Sequence, residues 1–266
     1  MDQLQIILLA IVQGLTEFLP ISSSGHLLLP KELLGWPDQG LAFDVAVHVG
    51  SLAAVLLYFR KDVINLLQAW LGNVAGKAAS DDSRLAWCVI IATLPAGLIG
   101  LLADSFIEQH LRGIAVVAST TILFGLLLGW ADKTGSQSKT LLSISWRLAL
   151  IIGFAQALAL IPGTSRSGIT ITAALLLGFS RESSARFSFL LSIPLIVAAG
   201  GLKTLQLASA PSAVPWGELI TGAVISGITA YLCIYYFLKL IDRIGMMPFV
   251  YYRLVLGVGL LAILWL

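Results

Sequence analysis

The chain has 266 residues, of which 58% are hydrophobic and only 11% are charged. Its mean hydropathy of +0.94 excludes a soluble globular domain and predicts an all-α integral membrane protein built as one helical bundle. This composition makes the lipid bilayer the expected surrounding, and no nucleic-acid partner is expected; the formal net charge of +2 by itself indicates little.

Ten apolar runs follow one another along the sequence, five in each half. A helix needs about 20 residues to cross the hydrocarbon core, and the second and seventh runs are about half that length. Each short run directly follows a polar break, so it is predicted to form a re-entrant helix–loop–helix hairpin with the run before it. The other six runs are predicted full spans. The runs cover residues 4–20, 25–35, 41–59, 85–104, 113–131, 146–162, 168–178, 186–207, 216–240 and 250–266.

The two polar breaks share a sequence pattern, which indicates a duplicated unit. A shift of 143 residues (156 − 13) places Gln13 on Gln156 and Ser22 on Ser165. Three full spans in each half invert the second copy relative to the first, and proteins of this kind bind their substrates at the repeat interface. The prediction is a single membrane domain, 1–266, with repeat halves at about 1–131 and 144–266.

The basic residues divide unevenly between the two faces of this topology. Twelve fall on one face and three on the other, while Arg166 stays inside the bilayer. Lysine and arginine mark cytoplasmic loops, so the richer face is predicted to be cytoplasmic, with both termini on the outer side. The twelve are Arg60, Lys61, Lys77, Arg84, Lys133, Lys139, Arg147, Arg181, Arg186, Lys239, Arg243 and Arg253, and the three are Lys31, Arg112 and Lys203.

The side chains suited to catalysis and anion binding lie at the two polar breaks. Entering from opposite faces, the two hairpin tips are predicted to meet near the midplane. Gly-containing turns that open a helix bind anions through backbone N–H groups, and arginine pairs with phosphate oxygens. A serine beside a base is a nucleophile and histidine is a usual proton donor, so the set suits phosphoryl transfer. The first tip offers Glu17, Ser22, Ser23, Ser24, Gly25 and His26, and the second offers Thr164, Ser165, Arg166, Ser167 and Gly168.

Several of these residues also have a purely structural interpretation. A serine in a membrane helix often bonds the carbonyl one turn earlier or holds helices together, which would suffice for Ser22. Glu17 would then be only an ion-pair partner of Arg166, and His26 an interfacial residue. Asp44 and His48, one turn apart, either line the cavity or form a local pair.

Four stretches resemble the undecaprenyl-diphosphate phosphatase family, also called the bacitracin-resistance protein family. They are QGLTEFLPISSSGH, FDVAVHVGSLAAVLLYFRKD, PGTSRSGITITAALLLGFSRESSARFSFLLSIP and PFVYYRLVLG, and together they reach from the first apolar run to the last. The resemblance implies a bacterial inner-membrane hydrolase that converts undecaprenyl diphosphate to undecaprenyl phosphate and so renews the lipid carrier for peptidoglycan. It also implies bacitracin resistance, because that antibiotic sequesters the diphosphate.

The resemblance also implies roles for individual residues. Ser23 is the expected nucleophile, with His26 or water as alternatives, and Glu17 the expected base. His26 is the expected acid for the leaving lipid phosphate, and Arg166 the expected clamp on the diphosphate. Mg²⁺ or another divalent cation is expected mainly on the diphosphate with Glu17 as its protein ligand, because Gln13 stands where many members have a second carboxylate. The expected substrate-binding residues are Gln13, Ser22, Ser24, Gly25, Thr164, Ser165, Ser167 and Gly168.

The sequence also bears on two other functional classes and on the oligomeric state. A transporter or flippase fits an inverted repeat as well as an enzyme does. The acid-phosphatase-type lipid phosphatases also use a Ser-Gly-His stretch, but they require a Ser-Arg motif followed by a histidine, which Ser165-Arg166 lacks. A homodimer is compatible with the apolar outer faces, and the site is expected to open on the periplasmic side.

Overall fold

The helices of the chain confirm the all-α prediction. The computed structural model describes residues 2–111, 113–208 and 215–264, and nearly all of them lie in helices or short connections. The helices are α1 Gln3–Thr16, α2 Ser23–Leu34, α3 Gly40–Tyr58, α4 Arg60–Val74, α5 Asp81–His110, α6 Ile114–Thr134, α7 Trp146–Ala157, α8 Arg166–Leu176, α9 Arg181–Ala208, α10 Trp216–Ile244 and α11 Met247–Ile263.

Five of the described helices are long and apolar enough to cross a membrane, namely α3, α5, α6, α9 and α10. The sixth predicted span is α11, which is apolar and 17 residues long. The protein is therefore a multi-pass membrane protein.

The second hairpin returns to the end of the molecule from which it enters. Lys139 lies just before α7 and Gly178 just after α8, and the Lys139 amide donates to the Gly178 carbonyl at 2.9 Å. The Ser180 amide donates back to the Lys139 carbonyl, also at 2.9 Å. Arg60, at the junction of α3 and α4, lies at the same end of the molecule. We call this end the basic end.

The first hairpin enters from the opposite end. Ile6 near the start of α1, Trp36 just beyond α2 and Leu219 at the start of α10 pack into one apolar cluster. The two hairpins therefore point toward each other, as the inverted repeat requires. Each hairpin's first helix packs on a span of the other half, α1 on α10 and α7 on α5, while α3 lies against α9.

Two features of the predicted topology differ in the structure. The segment 60–84, expected to be a loop, contains the 15-residue helix α4. Its apolar residues are interrupted by Asn65, Gln68 and Asn73, and they face in two directions, toward the core at Val63 and outward at Leu67. The sequence therefore shows no continuous apolar run here. Arg253, expected on the basic face, is instead completely buried inside α11. Arg112 lies outside the described residues.

The crossing of α3 and α10 depends on Gly50. A Cβ atom at this position would lie 2.1 Å from the backbone carbonyl oxygen of Ala223, so the two helices can approach this closely only without it. A Cβ atom added at Gly97 in α5, by contrast, would meet no atom within 4 Å.

Gly50→Ala is expected to destabilise the protein by about 1–3 kcal/mol because α3 and α10 must move apart. Gly97→Ala is the control and should leave the melting temperature in detergent unchanged or slightly raised, since alanine favours the helix. Equal melting temperatures for the two variants would contradict the close crossing.

Candidate functional site

The two helix breaks have the same local geometry. Ser22 and Ser165 both adopt left-handed backbone angles, with φ of 75° and 72°, which is uncommon for residues other than glycine. Each is the N-cap of the helix that follows, and its Oγ accepts from the amide of Gly25 or Gly168 at 3.4 and 3.1 Å. The predicted correspondence between the breaks thus holds at the level of the backbone.

Glu17 joins the two breaks. Its Oε2 accepts hydrogen bonds from Ser23 Oγ at 2.7 Å and from Gln13 Nε2 at 3.0 Å. Its Oε1 accepts from Arg166 Nη2 at 2.9 Å, so the carboxylate of one half pairs with the guanidinium of the other. Both side chains are largely buried, which makes this ion pair far less screened than a surface pair.

Arg166 and Ser167 hold the second tip against the first hairpin and α9. Arg166 Nη1 donates to the Ser188 carbonyl at 3.1 Å, and the guanidinium lies 5.8 Å from the Phe18 ring centroid. Ser167 Oγ donates to the Leu19 carbonyl at 2.8 Å. The prediction that the tips meet is confirmed by these contacts.

Arg253 binds the backbone of both breaks from behind. Its Nη1 donates to the Pro20 carbonyl at 3.1 Å, and its Nη2 donates to the carbonyls of Gly163 and Thr164, each at 3.0 Å. A Cβ atom at Gly168 would lie 2.9 Å from Arg253 Nη1, so any other residue there would require the guanidinium to shift.

A cavity of about 320 Å³ opens beside the Glu17–Arg166 pair. Its walls come from both breaks, from α3 and from α9, and it reaches Leu41 and Lys203, at the end opposite the basic end. A larger cavity of about 510 Å³ between α3 and α10 is lined almost entirely by apolar residues and does not border Glu17. The smaller cavity is therefore the candidate active site.

Six of the twelve predicted site residues line this cavity, and six do not. The cavity is bordered by Glu17, Ser22, Ser23, Ser24, Ser165 and Arg166. The remaining six are absent from its wall and belong to the supporting turns and helices: Gln13, Gly25, His26, Thr164, Ser167 and Gly168.

Comparisons with known proteins agree with the resemblance that the sequence motifs suggested. The family described as "Bacitracin resistance protein BacA" matches residues 6–259. The chain belongs to this family. A relative from Saccharophagus degradans, named undecaprenyl-diphosphatase, is 61% identical over 265 residues, or 100% of this chain and 99% of the relative. A relative of the same name from Chromohalobacter salexigens is 62% identical over 261 residues, or 98% of each chain.

His26, a predicted catalytic residue, does not border the cavity. Its Nδ1 lies 2.6 Å from the Ser22 carbonyl, and its Nε2 lies 2.6 Å from the Tyr252 hydroxyl. The two rings also stack, with centroids 5.6 Å apart. In this conformation His26 supports the Ser22 turn rather than facing the cavity.

The sequence left two interpretations of Asp44 and His48, as residues lining the cavity or as a local pair. In the structure both residues line the cavity. His48 Nδ1 lies 2.7 Å from the Asp44 backbone carbonyl, and its Nε2 lies 3.7 Å from Glu17 Oε2. The signal available in the sequence was an acidic residue and a histidine one turn apart within a predicted span.

The residues around Glu17 do not form a metal site by themselves. Among the described residues no group of three or more His, Cys, Asp or Glu side chains could hold an ion. Both oxygens of Glu17 already accept hydrogen bonds, from Ser23 and Gln13 on one side and from Arg166 on the other. This donor set fits a cation only when another ligand, such as a diphosphate, supplies most of its oxygens.

Arg253→Met is expected to lower the free energy of unfolding by roughly 3 kcal/mol or more, because it leaves several buried carbonyl groups of the breaks without donors. Thermal melting in detergent measures the loss. Arg243→Met, at an exposed position near the end of α10, is the control and should melt like the wild type. A similar melting temperature for both variants would show that the breaks do not depend on Arg253.

Proposed function

We propose that this protein hydrolyses undecaprenyl diphosphate to undecaprenyl phosphate and inorganic phosphate, which renews the lipid carrier for peptidoglycan synthesis. The single observation that carries the proposal is the Ser23 hydroxyl, hydrogen-bonded at 2.7 Å to a carboxylate whose other oxygen accepts from Arg166. The names of the full-length relatives point to the same reaction. Removal of the diphosphate form would also account for resistance to bacitracin.

The chemistry follows from the contacts of Glu17. Ser23 Oγ attacks the terminal phosphorus and gives its proton to Glu17 Oε2, the acceptor it already contacts. The bond between Oγ and phosphorus forms, the anhydride bond breaks, and undecaprenyl phosphate leaves. Water then hydrolyses the phosphoserine, releasing inorganic phosphate and restoring the Ser23 hydroxyl.

Arg166 stabilises the charge on the transferred phosphoryl group. Its guanidinium borders the cavity and has several N–H groups, so it can contact phosphate oxygens while it remains near Glu17. The helices α2 and α8 begin at the two breaks and direct backbone N–H groups toward the same region, which favours an anion there.

His26 and a divalent cation complete the proposed site. The acid role of His26 requires its ring to turn from Tyr252 toward the departing phosphate. Mg²⁺ or a related cation would be held by the diphosphate and by Glu17, where it would neutralise phosphate charge.

The cavity is proposed to open to the periplasm of a bacterial inner membrane. It reaches Leu41 and Lys203 at the end opposite the basic end, and basic loops mark the cytoplasmic side. Its apolar wall on α9, formed by Leu195, Ile196 and Ala199, is a suitable path for the first prenyl units. A homodimer is the proposed assembly, because the apolar groove between α3 and α10 carries exposed side chains at Val49, Leu57 and Val224.

The inverted hairpins also fit a transporter or flippase. Phosphate release by purified protein in detergent decides between the two functions, since a detergent micelle has no second side. We expect release by the wild type and a fall in kcat of at least about 100-fold for Glu17→Ala and Arg166→Ala. Arg147→Ala, an exposed arginine on α7, is the control and should retain full turnover. No release by folded wild-type protein supplied with Mg²⁺ would favour the transporter.

Ser23 and Ser24 provide a matched test of the nucleophile. Both border the cavity, but Ser24 Oγ pairs with Ser22 Oγ at 3.4 Å whereas Ser23 Oγ bonds Glu17. Ser23→Ala is expected to lower kcat about 1,000-fold or more, and Ser24→Ala less than about tenfold, because only Ser23 has the base. Near-normal turnover by Ser23→Ala would instead favour direct attack by water positioned by Glu17.

A further inference from the structure

His48 presents one ring nitrogen to the cavity. A carbonyl oxygen can only accept a hydrogen bond, so the 2.7 Å contact with the Asp44 carbonyl places the N–H on Nδ1. Nε2 is then the nitrogen on the side of Glu17, 3.7 Å from Oε2, and once Glu17 has taken the serine proton Nε2 is available as an acceptor. The side chain is 34% exposed, which leaves room for a water molecule beside it.

The proposed reaction needs a proton acceptor that Glu17 cannot provide. After Ser23 has attacked, Glu17 holds the serine proton and must return it to Oγ when the phosphoserine is cleaved. The attacking water therefore requires a second base. A base for water at neutral pH is most often a neutral histidine.

The other ionisable groups on the cavity wall are less suited to this step. Arg166 and Lys203 are cations at neutral pH, and Asp44 Oδ1 accepts from Gln39 Nε2 at 3.1 Å, one helical turn nearer the mouth than His48. His26 serves as the proposed acid of the first step only after its ring turns, whereas in this structure it lies off the cavity wall with both ring nitrogens engaged, by the Ser22 carbonyl and Tyr252. The histidine in position to contact a water at the phosphoserine is thus His48.

We propose that His48 is the catalytic base of the second step, an inference that rests on the proposed function and on Ser23 as the nucleophile. Water attacks the phosphorus of phosphoserine 23 and gives one proton to His48 Nε2. The bond between phosphorus and Ser23 Oγ breaks, Glu17 returns its proton to Oγ, and inorganic phosphate leaves. His48 then releases its proton to solvent, and the site is restored.

The test separates the two steps by rapid mixing of enzyme with undecaprenyl diphosphate in detergent. His48→Ala should release one equivalent of undecaprenyl phosphate at nearly the wild-type rate, while phosphate release falls at least about 100-fold. Phosphoserine 23 should accumulate and be detectable by peptide mass spectrometry. Added imidazole should restore part of the phosphate release, because it can enter the space left by the ring.

Two further variants control for structural effects. His48→Gln keeps much of the side-chain volume but cannot accept the proton, so it should accumulate phosphoserine in the same way. His110→Ala, an exposed histidine stacked on Phe106 at the end of α5, should behave like the wild type with or without imidazole. Melting temperatures show that each variant is folded.

The outcomes distinguish this inference from the proposed function. Phosphate release by wild type and by His48→Ala at equal rates would overturn the role of His48 and leave the hydrolase intact. Equal slowing of both products, without phosphoserine or imidazole rescue, would also overturn it. Absence of phosphate release by folded wild type would overturn the proposed function and the inference together.

Discussion

The structure depends on the hydrogen bonds that Arg253 donates to the backbone of both helix breaks. A helix broken inside a bilayer leaves carbonyl groups without partners, and each unpaired group costs several kcal/mol in hydrocarbon. Arg253 lies about 9 Å along α11 from its start and satisfies carbonyls at Pro20, Gly163 and Thr164 with one side chain. A guanidinium has five N–H groups in a fixed fork, and Arg253 also donates from Nε to the Thr121 carbonyl at 3.0 Å, whereas an ammonium has only three N–H groups. Because both tips are held by one group, their relative position is set.

With the tips held together, the two copies of the repeat can differ in chemistry while they share a backbone. Ser22 and Ser165 have nearly the same angles and cap their helices in the same way. The same shift of 143 residues, however, places Ser23 opposite Arg166 and Glu17 opposite Leu160. One copy therefore supplies the hydroxyl and the carboxylate, and the other supplies the cation. Neither half alone contains the set of groups that phosphoryl transfer needs.

The cavity explains how a lipid substrate can meet this polar set inside a membrane. Polar groups of both breaks border one part of its wall, and apolar residues of α9 border another. A substrate with a charged head and a hydrocarbon tail matches both surfaces. His48 reaches the same polar part from the spanning helix α3, so the site draws on a span as well as on the hairpins. A rigid span holds such a group more precisely than a loop.

The sequence by itself determined the fold class, the two breaks and the residues that the breaks carry, because apolar length and matching motifs are local properties. It also offered the pairing of Glu17 with Arg166 as one of two interpretations, since an inverted repeat brings its two tips together. Only the tertiary structure decided where Arg253, His26 and His48 point. Arg253 was counted among the loop charges because its partners lie 89 to 233 residues away in the chain. His26 turns to Tyr252, 226 residues away, and His48 faces Glu17 because α3 packs beside the first tip. Side-chain direction depends on such distant neighbours, and no local pattern records them.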